Sequence, residues 1–318
     1  MANIPQLGGT PFLTDAGLET CMVFKDGLDL PCFSSFVLLD DPEGFEKLST
    51  YYRKFLRLAA DHDARFVLDA PSWRANPDWG AEVGYDLAAL GAANRRAIEM
   101  IASLRRESGI ADQVVLNLVV GTRGDGYRAD ALMSAHEASE YHAWQLGEAA
   151  AAGAEMASAV TMNYVEEAQG IAAAAAKAGL PCVISFTVET DGKLPTGMSL
   201  AEAVRRTDDA SHGGVAYYMI NCAHPSHFAA VLDDDVLAAR VGGIRANASR
   251  MSHAELDEAT ELDDGNPDEL AQDYLALLDQ LPHLCVLGGC CGTDHRHVDA
   301  VAHKCLPTMR ERSAGSSD

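Results

Sequence analysis

A chain of 318 residues, 48% hydrophobic and 22% charged, has material for a large core and fits one α/β barrel or two smaller domains. Its 24 Lys and Arg stand against 47 Asp and Glu, and the net charge of −23 repels nucleic-acid phosphates and anionic lipid. No apolar run approaches the roughly 18 residues of a membrane span, and the polar start from Met1 to Thr10 lacks a signal-peptide core, so a cytoplasmic location is expected.

Taken in order, the first short strand runs through Phe12 and Leu13 to Asp15, and a loop with Gly17, Glu19 and Thr20 follows. Helical spacing of Phe45, Leu48, Tyr52, Phe55, Leu56 and Ala59 predicts a helix from Pro42 to about Ala60. Arg65 to Ala70 reads as a second strand, with a polar loop from Pro71 to Gly80 and a helix from Leu87 to Arg106. Val114 to Val120 is the third strand, followed by a glycine-bearing loop and a helix from Ser134 to Ala152. Glu155 to Met162 is the fourth, and Val165 to Ala178 its helix, ended by Gly179. Pro181 to Glu189 is the fifth, and Ser199 opens the next helix. The sixth strand ends in Asn221-Cys222, the seventh lies in the glycine-rich stretch Arg240 to Ala248, and a helix from Asp268 to Leu281 leads to the eighth, which ends in Gly288-Gly289-Cys290-Cys291-Gly292.

Eight β-prone runs, each with a helix-length partner and no break in composition, predict a single (β/α)8 TIM-type barrel with its active site at the C-terminal strand ends. An open doubly wound sheet is the competitor, but no early strand is followed by a Gly-x-Gly-x-x-Gly loop. The barrel is expected over residues 1–309, with 310–318 a disordered tail.

Paired cysteines alone read equally as a buried thiol cluster, a redox disulfide or metal ligands. On a barrel, however, strands six and eight are separated by one strand, so Cys222, Cys290 and Cys291 can meet at the mouth, with glycines clearing the approach. Three sulfurs leave one tetrahedral position of Zn2+ open. Three thiolates give that ion a net charge of about −1, poor for activating water but suited to holding a fourth sulfur as a nucleophile. Cys21, Cys32, Cys182, Cys285 and Cys305 show no partner pattern and read as small hydrophobes, while His224 and His227 read as the start of the next helix.

These residues resemble the zinc-dependent homocysteine S-methyltransferases, most strongly at Gly288 to Thr293 and at Asn221-Cys222, more weakly at Asp15-Ala16-Gly17 and the Gly121 loop. The resemblance implies a (β/α)8 barrel, zinc on Cys222, Cys290 and Cys291, and methyl transfer to homocysteine to give methionine. It also implies homocysteine contacts at Asp15 and Gly17, where the family's Asp-Gly-Gly has lost its middle glycine. The family's ammonium-binding glutamate on the fourth strand is replaced by Val160, so Glu19 or Glu189 is expected to take that role or the acceptor is another thiol. Asn221 is grouped with the substrate contacts, and Trp73, Trp79, Tyr127 and Trp144 are candidate cation-π faces for an onium methyl donor. The partners expected are a small-molecule thiol and a methyl donor, with no nucleic acid, no membrane and a homo-oligomer allowed for. A zinc hydrolase on the same barrel and a non-catalytic zinc or redox sensor are the alternatives.

Overall fold

The computed structural model describes residues 4–130 and 132–315. Eight parallel strands close on themselves in sequence order: β1 Phe12–Leu13, β2 Arg65–Asp69, β3 Val114–Val120, β4 Met156–Met162, β5 Cys182–Phe186, β6 Val215–Asn221, β7 Val241–Ala246 and β8 Val286–Gly289. Closure depends on the two residues of β1, where Phe12 sits level with Arg65 on one side and Val286 on the other. The main outer helices are α1 Pro42–Asp61, α2 Leu87–Glu107, α3 Ala135–Ala151, α4 Val165–Ala178, α5 Leu200–Ser211, α6 Asp235–Arg240, α7 Pro267–Gln280 and α8 His295–Gly315. None of the helices among the described residues is long and apolar enough to cross a membrane.

The helices start where the sequence supplies caps. Asp41 accepts the Gly44 N–H before Pro42 opens α1, and Ser134 with Glu137 forms a reciprocal capping box at α3. Gly179 ends α4 in a left-handed conformation. Residues 310–315 correct the expected tail, since they continue α8, where Arg310 donates to the carbonyls of His62 and Asp63. Residues 316–318 of that expected tail lie outside the described residues.

Two apolar layers follow from alternation along the strands. Outward residues such as Leu68, Leu116, Ile184 and Leu287 pack under the helices, and inward residues Phe12, Val67, Val115, Met156, Val183 and Met219 plug the barrel. One pleat higher, towards the C-terminal ends, the inward side chains turn polar: Thr14, Asp69, Asn117, Ser158, Ser185, Asn221 and Arg245.

Candidate active site

The polar layer is organised by Arg245, a strand residue that sequence reading passed over. Its guanidinium pairs with Asp69 and with Asp15, donates to Gly289 O at 3.1 Å, and thereby ties β7, β2 and the β1 loop to the strand that carries the cysteines. Asn117 donates to Asp69 at 2.6 Å and accepts from Ser158 at 3.1 Å, so the carboxylate is held from both sides. Tyr274 adds a clamp, accepting the Ala246 N–H and donating to Gly288 O, both at 2.7 Å. The two carboxyl groups face one guanidinium, and all three are largely buried.

Burial pushes the Asp15 carboxyl up to about 7; Arg245 opposes that shift, while Asp69 and Glu19 add to it. A carboxyl raised in the folded state keeps a proton that the unfolded chain has already released, so folding stability falls as pH climbs from about 4 to about 7. Asp15→Asn is expected to remove this part of the slope, read as chemical unfolding midpoints across that window. Identical slopes in the two proteins would disprove the assignment.

Close packing explains two of the glycines. A β-carbon on Gly17 would lie 2.5 Å from Cys290 O, and one on Gly288 would meet Thr14 and sit 2.8 Å from Asp15 O. The first loop is therefore pressed directly against the thiol-bearing turn. Gly288 serves this contact between protein segments, which corrects the expectation that it clears the approach of a substrate.

Cys222, Cys290 and Cys291 converge, with all three sulfurs within 4.8 Å of one another. Cys222 and Cys290 are in disulfide contact, their Cα atoms 5.4 Å apart, and Cys291 is free. A tetrahedral ion with metal–sulfur bonds of about 2.3 Å needs sulfurs roughly 3.8 Å apart, so once the pair is reduced the set fits zinc in donor type, and its three sulfurs are close enough to reach that spacing. Each sulfur also has a polar neighbour: Asn221 Nδ2 lies 3.9 Å from Cys290, Thr161 Oγ1 3.7 Å from Cys222, and the Tyr127 hydroxyl 3.7 Å from Cys291. Hydrogen bonding of this kind stabilises ligating thiolates.

The backbone at two of these points is unusual. Thr161 and Cys222 both adopt positive φ, 61° and 54°, costly for a β-branched residue and for any side chain beyond glycine. Asn221 holds Thr161 there, accepting its N–H and donating to its hydroxyl, both at 2.9 Å, while Ser185 donates to the same Asn221 oxygen at 2.6 Å. Asn221, expected as a substrate contact, bonds Thr161 and Ser185 and also lines the cavity above the sulfurs. His253, unnoticed in the sequence, holds Cys222 O at 2.6 Å and stacks on Tyr127, the ring centroids 4.1 Å apart.

Above the sulfurs opens a cavity of about 490 Å³. Asp15, Gly17, Glu19, Trp73, Trp79 and Tyr127 line it, and so does Val160, an apolar wall where an ammonium-binding carboxylate was looked for. Glu19 is held by Ser35 at 2.8 Å, and burial raises its carboxyl above the usual range. Glu189 falls outside the cavity and pairs with His253 at 3.2 Å; the fifth strand stops at Phe186, three residues short of it. Trp144 lies within α3 and packs on the helix layer, away from the mouth. Of the two expected ammonium partners only Glu19 reaches the cavity, and of the four aromatics three do. His224 caps the short helix Pro225–Phe228 by accepting the Ser226 N–H at 3.1 Å, and burial lowers its imidazole to about 4.

The family model for homocysteine S-methyltransferase matches residues 12–305, spanning all eight strands. This chain belongs to the homocysteine S-methyltransferase family. It is accordingly an S-methyltransferase. A search of curated proteins finds no match. Among solved structures, the homocysteine methyltransferase MmuM from Escherichia coli superposes in its metallated form with a TM-score of 0.71 and 21% identity, covering 93% of this chain and 96% of that one. Its oxidized form gives 0.72 at the same identity and coverage, and its apo form 0.66 at 19%. At that identity the likeness establishes a shared (β/α)8 barrel, and the residue roles must come from this chain's own geometry.

Proposed function

We propose that this S-methyltransferase moves a methyl group from a small onium donor to the thiol of homocysteine, with Cys222, Cys290 and Cys291 holding zinc. The observation that carries the reading is the meeting of three sulfurs from two strand ends on one cavity wall, each with a polar neighbour. Zinc in that set supplies a place for one more sulfur and keeps it ionised at neutral pH, where a free thiol of pKa about 8.5 is mostly protonated.

The chain's own groups do the rest. Glu19, with one oxygen held by Ser35, offers the other to an ammonium and takes the role that Val160 has vacated. The cavity lining carries seven carboxylates against two guanidinium groups, which favours a cationic donor over a neutral one. Tyr127, fixed by His253, screens Cys291. A cytoplasmic enzyme acting on two small molecules, with neither nucleic acid nor membrane as partner, fits the net charge of −23.

The test is a screen of the reduced, zinc-loaded protein with homocysteine and other thiols against betaine, S-methylmethionine and related onium donors, with product detected by mass. Methionine formed from homocysteine is the expected result. Val160 is the reason to include other thiols, and methylation of one of them in place of homocysteine would shift the acceptor while keeping the mechanism. No methylated thiol from any pair would end the proposal.

A further inference from the structure

Two of the four aromatic faces expected for the donor, Trp73 and Trp79, already carry a cation. Arg74 sits between them, its guanidinium carbon 4.5 Å from the Trp73 ring centre and 3.5 Å from that of Trp79. The sandwich orients a planar cation at the cavity wall, yet gives it no acceptor. Arg74 Nε and Nη1 are fully buried and unpaired, and the indole N–H groups of Trp73 and Trp79 are buried and unpaired as well. Four donors on three touching side chains thus lack a single acceptor. Burial lowers the Arg74 pKa, and the nearby Asp125 and Glu19 support its charge without forming an ion pair with it.

Buried N–H groups without an acceptor are costly, and such groups in folded proteins are met by a partner. Glu19 and Asp125 line the same cavity, so a ligand here would find a cation and carboxylates side by side. That pattern suits a zwitterion. We infer that Arg74, flanked by Trp73 and Trp79, receives a carboxylate of a zwitterionic substrate while the neighbouring acids face its positive end. The inference rests on the methyl-transfer reading only for the choice of ligands. The carboxylate can belong to the amino-acid acceptor or to the donor, and the experiment separates the two.

Two of the chain's three tryptophans flank Arg74, so ligand binding can be read by indole fluorescence on the purified, reduced protein without turnover. Two pairs are titrated: homocysteine with its decarboxylated analogue 3-aminopropane-1-thiol, and glycine betaine with tetramethylammonium. The wild type should prefer the carboxylated member of at least one pair by roughly 10- to 100-fold, the range for a hydrogen bond to a charged group. Arg74→Gln should erase that preference and leave the decarboxylated member within twofold, and Arg74→Lys should keep part of it. The pair that responds identifies the substrate whose carboxylate is held. Absence of preference in both pairs, or equal weakening of both members by Arg74→Gln, overturns the inference. Methyl transfer without any carboxylate preference would sink this subsite alone, and a preference without methyl transfer would sink the functional reading alone.

Discussion

Cys290→Ser is expected to lower zinc affinity by roughly 10²- to 10³-fold and to take methyl transfer down with it. Structural zinc sites carry on the order of 10–16 kcal/mol of binding free energy, so one ligand in four is worth about 3–4 kcal/mol. Serine keeps the shape of cysteine but is a poor ligand for a soft ion at neutral pH. Cys222→Ser should behave alike, because its sulfur reaches the same cluster from the end of β6. Metal content after dialysis against a weak chelator, with far-ultraviolet dichroism to show that the barrel persists, separates loss of ligand from loss of fold. Full occupancy of zinc in either variant would remove the metal site from the mechanism. Cys305→Ser is the control: that sulfur is buried beside α7, far in function from the mouth, and zinc content should not change.

Arg245→Met is expected to destabilise the folded state by about 3–5 kcal/mol, the usual cost of stripping one partner from a buried ion cluster. The methionine fills much of the volume but leaves Asp15 and Asp69 facing each other with no cation. The loss should shrink at acidic pH, where the Asp15 carboxyl, pushed up to about 7 by burial, takes up a proton. Denaturant unfolding read at pH 7 and at pH 5 measures both effects. A further variant with Asp15→Asn and Asp69→Asn added to Arg245→Met should recover part of the stability, since no uncompensated charge then remains. A deficit below about 1 kcal/mol at pH 7 would mean that the cluster is wetter than its burial indicates.

The strands and helices were legible because the chain's local patterns agree with its fold. Val114–Val120 and Val165–Ala178 have the bounds that apolar runs and a terminal glycine predict. The three cysteines were legible for a different reason: parallel strands in a barrel share one active end, so two strand-terminal motifs must be neighbours. Arg245 was not legible. It is one charged residue in a glycine-rich stretch, and its partners Asp15 and Asp69 lie 230 and 176 positions away, a relation that no periodicity records. Glu189 misled because the fifth strand was carried to its position, whereas the pairing stops at Phe186 and the chain turns out towards His253. Trp144 was already inside the predicted helix from Ser134 to Ala152, so an outward place for it could have been inferred. Trp73 and Trp79 are occupied by Arg74, one charged residue in a polar loop whose place between the two rings no spacing records.

The two-residue strand β1 sets the order in which the protein can be finished. It hydrogen-bonds to β2 and β8 alone, so the ring stays open until the final strand has left the ribosome. Cys290 follows Cys222 by 68 positions and arrives on that same late segment. A nascent chain holding only its first seven strands therefore presents a single ligand sulfur, and the grip on an ion is assembled in the same step that seals the cylinder.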